Sequence, residues 1–304
     1  MSVDWSDVRD RWESAVEAAR SEHSAREFRM KRLGWLANWW STLVRDTVPV
    51  PITGTGGAGK SVLYDALTDA TAARGYTLPG PTDDVAGMNT LITGPGGKVK
   101  ASFEVTVGQS VWANAGTFQE VFEGDAPPSG LIHVVSFGYN KAWEGDTATQ
   151  LELNFQDQAM VYGPDRRVRR YRLAFQREEN RYRELEGFKN VRAQLRARWG
   201  SSGRHWLILA VTKSDLYWRR LAAARDYYIP GGWRTDSPFA RELRGVVADM
   251  DGRIDIAVLP VASCGEAFSI NGRPGWPSQL TDSQRDALTD NLRLTIGEFC
   301  GEAR

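Results

Sequence analysis

One short run restricts the fold of this chain more than any other. Gly54-Thr-Gly-Gly-Ala-Gly-Lys60-Ser61 follows the spacing G-x-x-x-x-G-K-[ST]. With glycine at Gly54, Gly56, Gly57 and Gly59, the backbone can wrap until successive N–H groups point inward at an anion, where side chains would clash. The amides of Ala58 and Val62 belong to the same contact run. Lys60 supplies positive charge for the β- and γ-oxygens of a polyphosphate, and the Ser61 hydroxyl can ligate Mg²⁺. Such a loop needs a strand before it and a helix after it, because a helix N-terminus aimed at phosphate adds a favourable dipole. Val48 to Thr53 reads as that strand, and Ser61 to Leu67 as the opening of that helix. Pro49 and Pro51 count against the strand, since proline lacks a ladder donor. A glycine-rich turn that matches by chance is the alternative, and the order of strand, loop and helix weighs against it.

The rest of the chain repeats that alternation. Asn89–Thr93 and Val99–Val107 read as a hairpin around Gly94-Pro-Gly-Gly97, and Leu131–Phe137, His205–Val211 and Ile254–Ala262 as short apolar strands. Helical patterns separate them at Arg177–Trp199 and Pro238–Met250, and Thr281–Phe299 closes the chain, with Thr281 or Asp282 as its cap. This predicts an α/β fold with a doubly wound, mostly parallel sheet flanked by helices. Residues 2–46 look helical throughout, so the expected organisation is an N-terminal helical arm over 1–46 and one domain over 47–304. In the arm, Trp5, Val8, Trp12, Ala15, Val16 and Ala19 recur at helical spacing, and a second apolar set runs from Leu33 to Val44.

Composition narrows the partners. Lys+Arg and Asp+Glu balance at 38 each, so no global field draws in nucleic acid or membrane, and any such affinity must be local. Cys264 and Cys300 do not make a disulfide framework and are expected to be ordinary buried thiols; with only His23, His133 and His205, a zinc-type cluster is not expected either. No apolar run is long enough to span a bilayer, and the acidic N-terminus does not resemble a secretory signal. A cytoplasmic location is expected, which also supplies nucleotide and Mg²⁺.

The base is addressed further along. At the end of the apolar strand closing at Val211 stands Thr212-Lys-Ser-Asp215, matching [NT]-K-x-D. A carboxylate such as that of Asp215 accepts hydrogens from guanine N1 and N2, and adenine has no N2 donor. Lys213 can lay its stem along the purine and tie back to the phosphate loop. A helix-capping aspartate is the bland alternative for Asp215. After the following strand comes Ala262-Ser-Cys-Gly265, where Ser263 and Cys264 fall on the positions of an [ST]-A-[KL] loop whose backbone contacts guanine O6.

On these motifs, in this order, the chain resembles the Ras-like, translation-factor-related (TRAFAC) class of P-loop GTPases, over roughly residues 47–300 in topology. The resemblance implies a GTP/GDP and Mg²⁺ site, slow hydrolysis of GTP to GDP and phosphate, and a nucleotide-controlled switch acting in a multi-protein system. It also implies a protein effector or activator, because the charge developing in phosphoryl transfer is often met by a partner's arginine. One motif departs from the family. Where D-x-x-G is expected the chain reads Val105-Thr-Val-Gly108-Gln109, so Val105 replaces a carboxylate that reaches Mg²⁺ through water, and Glu104 is turned to the opposite face of its strand. Gly108 then corresponds to the γ-phosphate contact and Gln109 to the residue that positions the attacking water. Thr82 is the choice for the switch threonine that reaches metal and γ-phosphate, with Thr77 and Thr90 as rivals. Two other readings stay open: a non-hydrolysing adaptor that binds nucleotide and partner proteins, and a P-loop ATPase in which Thr212–Asp215 is coincidental.

Two segments remain outside this pattern. Residues 141–204 form a long insertion with Arg166-Arg-Val-Arg-Arg-Tyr-Arg172 and a charged helix. A solvated arginine-rich face is the first reading, a partner or dimer contact the second. Nucleic acid is not expected, because no recognised RNA- or DNA-binding motif is present. The helix carrying Trp35, Trp39 and Trp40 is expected to pack against protein, with peripheral membrane contact the less favoured choice.

Overall fold

The computed structural model describes residues 3–21, 47–69, 86–94, 97–105, 122, 128–141, 168–199, 203–232, 235–265, 267–270 and 273–302. The first helix, α1 (Trp5–Arg20), is capped by Asp4, whose carboxylate accepts from the Ser6 amide at 2.9 Å. Helix α1 ends at Arg20, where the Ser21 amide closes the last turn on the Glu17 carbonyl, and the rest of the expected helical arm, 22–46, lies outside the described residues. The apolar set from Leu33 to Val44, with its tryptophans, lies outside the described residues.

The central sheet is six-stranded, in the order β2-β3-β1-β4-β5-β6. Its members are β1 (Val48–Gly54), β2 (Ala86–Gly94), β3 (Gly97–Val105), β4 (Gly130–Val135), β5 (His205–Val211) and β6 (Ile254–Pro260). Strands β3, β1, β4, β5 and β6 run parallel, and β2 returns antiparallel to β3 as one edge. Helices cover both faces, so the fold is α/β with a mostly parallel sheet between helical layers. On one face Leu131, Leu209 and Val258 pack with α3 (Val168–Trp199), α4 (Leu221–Tyr228) and α5 (Pro238–Asp249). On the other, Ile52, Phe103, Ile208 and Leu259 pack with α2 (Lys60–Leu67) and α6 (Asp282–Glu302). A small hairpin, β7 (Phe268–Ile270) with β8 (Arg273–Trp276), precedes α6.

Helix α1 belongs to both layers. Val8, Trp12 and Val16 join the first core and Ala15 and Ala19 the second, while the helix packs along edge strand β6. It thereby covers an edge that would otherwise present unpaired backbone. The prolines of β1 are tolerated for a local reason. Strand β4 pairs with β1 only over Ile52–Gly54, so Pro49 and Pro51 lie where β1 has a neighbour on one side alone. For α6, Thr281 is the cap: its hydroxyl accepts from the Gln284 amide at 3.3 Å, and the Gln284 side chain accepts from the Thr281 amide at 3.0 Å.

The topology also fixes where a ligand can sit. From β1 the chain builds β3 on one side and then β4 on the other, so the winding reverses beside the C-terminal end of β1. In open parallel sheets that reversal leaves a crevice. Gly54, the last residue of β1, opens the glycine loop at that point. Among the described residues, no helix is long and apolar enough to cross a membrane.

Candidate functional site

The glycine run leaves β1 and enters α2 directly. Gly57 has φ 72°, and a side chain there would meet the Lys141 carbonyl oxygen at 2.0 Å, so only glycine fits. Gly59 is the N-cap of α2 in a left-handed conformation, and no side chain caps the helix. The positive end of α2 is therefore left to the loop, with Lys60, Ser61 and Val62 in its first turn. Gly56, Ser61 and Val62 are half-buried, and Ala58 is buried.

Lys60 is 6% exposed, and among the described residues its ammonium finds only backbone oxygen: it donates to the Gly54 carbonyl at 2.8 Å and the Thr55 carbonyl at 3.3 Å. Burial without a carboxylate pushes it down to about 8. Beneath it, His133 of β4 is fully enclosed. Its Nδ1 lies 2.9 Å from the Thr53 hydroxyl, and burial, helped by the Lys60 charge, holds the ring neutral with a pKa of about 3.

The loop after β5 is bonded to the glycine run. The Thr212 hydroxyl lies 2.5 Å from the Ala58 carbonyl oxygen and 3.0 Å from that of Val135. Lys213 adopts a left-handed φ of 56° that aims its ammonium back at the loop, donating to the Gly57 carbonyl at 2.7 Å and the Tyr139 carbonyl at 2.6 Å. Its stem is half-exposed and its ammonium enclosed, and burial pushes its pKa down to about 7. The expected tie from Lys213 back to the glycine loop is present.

Asp215 sits in a short turn, Ser214–Leu216, several residues before α4 begins, so it caps no α-helix. It is 2% exposed, and among the described residues its Oδ2 has no hydrogen-bond partner. Burial raises its pKa, against the pull of the Ser278 hydroxyl and of the Arg285 and Lys213 charges. The loop after β6 comes alongside: the Ser214 amide donates to the Val261 carbonyl at 3.1 Å, and the Val261 amide to the Val211 carbonyl at 2.8 Å. In that loop the Ser263 hydroxyl is also buried without a partner. Cys264 is half-exposed, which corrects the expectation of a buried thiol; Cys300 is buried.

Val105 ends β3 beside Ile52 of β1 and is buried in the apolar layer, while Glu104 is half-exposed. Thr90 pairs with Ala101 within β2. Thr77, Thr82, Gly108 and Gln109 lie outside the described residues. Among the described residues there is no group of three or more His, Cys, Asp or Glu side chains arranged to hold a metal ion.

Sequence reasoning missed the turn Ser136–Lys141 that follows β4. Asn140 donates to the Thr55 hydroxyl at 2.8 Å and the Gly56 carbonyl at 3.3 Å, and the Lys141 amide donates to the Gly57 carbonyl at 3.0 Å. Nothing in Ser-Phe-Gly-Tyr-Asn-Lys marks it in the sequence except its place after an apolar strand. Neither the known protein-family models nor the curated proteins contain a match to this chain.

Proposed function

We propose that this protein is a P-loop GTPase-like domain that binds guanosine triphosphate with Mg²⁺ along the C-terminal edge of β1, β5 and β6. The observation that carries this reading is the pairing of a bonded frame with an unmet acceptor. Thr212 and Lys213 are tied to the glycine loop, and two residues on Asp215 holds a buried oxygen with no donor. A buried unpaired acceptor is costly, so a ligand that donates to it is strongly preferred over one that does not. Guanine offers N1–H and N2–H₂ together; adenine offers no such pair. The unpartnered Ser263 hydroxyl, in the loop whose Val261 bonds Ser214, supports the same assignment.

At the other end, Gly56, Gly57, Ala58 and Gly59 would surround the phosphates with amides, Lys60 would neutralise them, and the uncapped start of α2 would add its dipole. Ser61 would ligate Mg²⁺, which would supply neutralisation of phosphate charge when bound. The strand order, with its reversal at β1, supports placing the ligand there. We assign the water-positioning role to Gln109, the γ-phosphate amide contact to Gly108 and the switch contact to metal and phosphate to Thr82, on sequence position.

A second reading rests on Val105. An aliphatic side chain buried at the end of β3 puts no carboxylate where the family places one for Mg²⁺. On that reading the protein binds nucleotide and recruits partners without turnover. Affinity and turnover for GTP and ATP, with and without Mg²⁺, on the parent, Lys60→Ala and Asp215→Asn separate the two. Mg²⁺-dependent GTP hydrolysis lost in Lys60→Ala supports a GTPase; tight GTP binding without turnover supports the adaptor. Equal use of ATP contradicts both.

A further inference from the structure

The long helix α3 reaches the nucleotide site through the turn Ser136–Lys141, and it does so with polar side chains. At successive positions on one stripe, Arg177, Asn180 and Glu184 grip the turn. The Arg177 guanidinium lies 4.3 Å from the centre of the Tyr139 ring and 5.1 Å from that of Phe137. Asn180 donates to the Gly138 carbonyl at 3.0 Å and the Asn140 carbonyl at 3.3 Å. Glu184, fully buried, accepts from the Ser136 amide at 2.9 Å and the Gly138 amide at 3.3 Å, and its other oxygen accepts from the Tyr228 hydroxyl at 2.8 Å. Gly138, at φ 79°, lets the turn approach so closely that a side chain there would lie 2.3 Å from the Arg177 carbonyl oxygen.

The opposite side of the same turn holds the glycine loop. Asn140 fixes the Gly56 carbonyl, and because the peptide unit is a rigid trans plane, the Gly57 N–H is turned the opposite way, away from the turn. Thr212 does the same for the Ala58 carbonyl and the Gly59 N–H. Anchoring carbonyls on one side is thus what aims donors to the other. The Ser136 hydroxyl, 3.0 Å from Asn140 Oδ1 and 3.1 Å from Glu184 Oε1, joins the two grips.

We propose that α3 sets the donor geometry of the phosphate loop through this turn, with Asn140 and Glu184 as positioning residues for the nucleotide. The inference rests on the guanine-nucleotide reading above. It makes α3, with its arginine-rich N-terminal turns, the element through which a contact on the helix alters nucleotide affinity.

The test compares Asn140→Ala, Glu184→Ala and Glu184→Gln with Arg192→Ala. Arg192 is on α3 but faces α5, pairing with Glu242 at 2.8 Å and Asp249 at 2.7 Å. Two readouts are used: calorimetric affinity for GTP with Mg²⁺, and hydrogen exchange without nucleotide of the Lys141 and Gly138 amides, which donate to the Gly57 carbonyl and to Glu184. Asn140→Ala and Glu184→Ala are expected to weaken affinity ~10-fold and to speed exchange of those amides by a similar factor, the scale of one or two lost hydrogen bonds. Glu184→Gln keeps an acceptor for the Ser136 and Gly138 amides, and should stay within about threefold of the parent. Arg192→Ala should lower the melting temperature and leave both readouts unchanged. Should Glu184→Ala fail to fold, Asn140→Ala carries the same comparison. If the parent binds GTP and Asn140→Ala changes stability alone, as Arg192→Ala does, this inference is overturned by itself. A parent that binds no GTP overturns the functional reading and this inference together.

Discussion

The two halves of the candidate site are deficient in opposite ways. In the proposed phosphate half, Lys60 is an enclosed cation whose hydrogen bonds among the described residues go to backbone carbonyls, and burial lowers its pKa. In the base half, Asp215 is an enclosed acceptor with an oxygen no donor reaches, and burial raises its pKa. Each half is costly alone, because buried polar groups without full partners lose their hydration. On the proposed reading, a single ligand with an anionic tail and a donor-bearing head would complete both. The contrast teaches that the proposed reading has two chemically opposite requirements, and that each can be broken separately.

The largest effect is expected from Lys60→Ala, which should weaken GTP and inorganic tripolyphosphate alike by ~100-fold, or about 3 kcal/mol. Titration calorimetry with both ligands checks it. A loss confined to GTP would break the comparison, since the phosphate half should not sense the base. Asp215→Asn should do the reverse. Putting a donor where guanine also donates should cost GTP roughly 100-fold and leave tripolyphosphate unaffected, so that the preference for GTP over ATP disappears.

A smaller effect concerns the floor under the phosphate half. His133 titrates near 6.5 in an unfolded chain and at about 3 in the folded one. The unfolded state therefore takes up a proton that the folded state refuses, and the stability present above pH 6.5 is lost as pH falls toward 3. Between pH 7 and 5 the parent should lose about 2 kcal/mol more than His133→Gln in urea unfolding. Equal losses would mean that the ring is not held neutral.

The smallest effect sharpens the contrast in charge. A bound phosphate should raise the Lys60 pKa from its ligand-free value of about 8. Affinity should then hold below pH 8 and decline above it, by up to ~10-fold per pH unit until the bound-state pKa is reached. Calorimetry in buffers of differing ionisation heat should register proton uptake near pH 8. No uptake would show that Lys60 is already fully charged in the free protein.

Much of this arrangement was legible in the residues, and the reasons differ by element. The glycine loop was readable because its chemistry is local: Gly57 and Lys60 serve one function within one turn of chain. The mostly parallel sheet followed from short apolar runs such as His205–Val211, which bury on both faces of such a sheet, whereas the order of its strands did not. The strand containing Pro49 and Pro51 was harder, since only the pairing partner, beginning at Ile52, explains why missing donors do no harm. The grip of α3 was not legible at all. Gln176, Asn180 and Glu184 are buried at a spacing of four, yet among the charges of that helix the same letters also describe a solvated face. What buries them is the hydrogen-bonding demand of a turn distant in sequence, and no periodicity encodes that. In the same way, Ala15 and Ala19 announced a helix but not that α1 would join both layers of the core.

The central proposal is that one ligand satisfies the carbonyl-bound Lys60 and the unpartnered Oδ2 of Asp215 together. Its most direct test is a crystal structure of the protein grown or soaked with guanosine triphosphate and Mg²⁺. The account predicts phosphate oxygens against the Gly56–Ser61 amides and Lys60, with guanine N1 and N2 both within hydrogen-bond distance of Asp215. A loop closed over no ligand, or a nucleotide whose base lies away from Asp215, would contradict it.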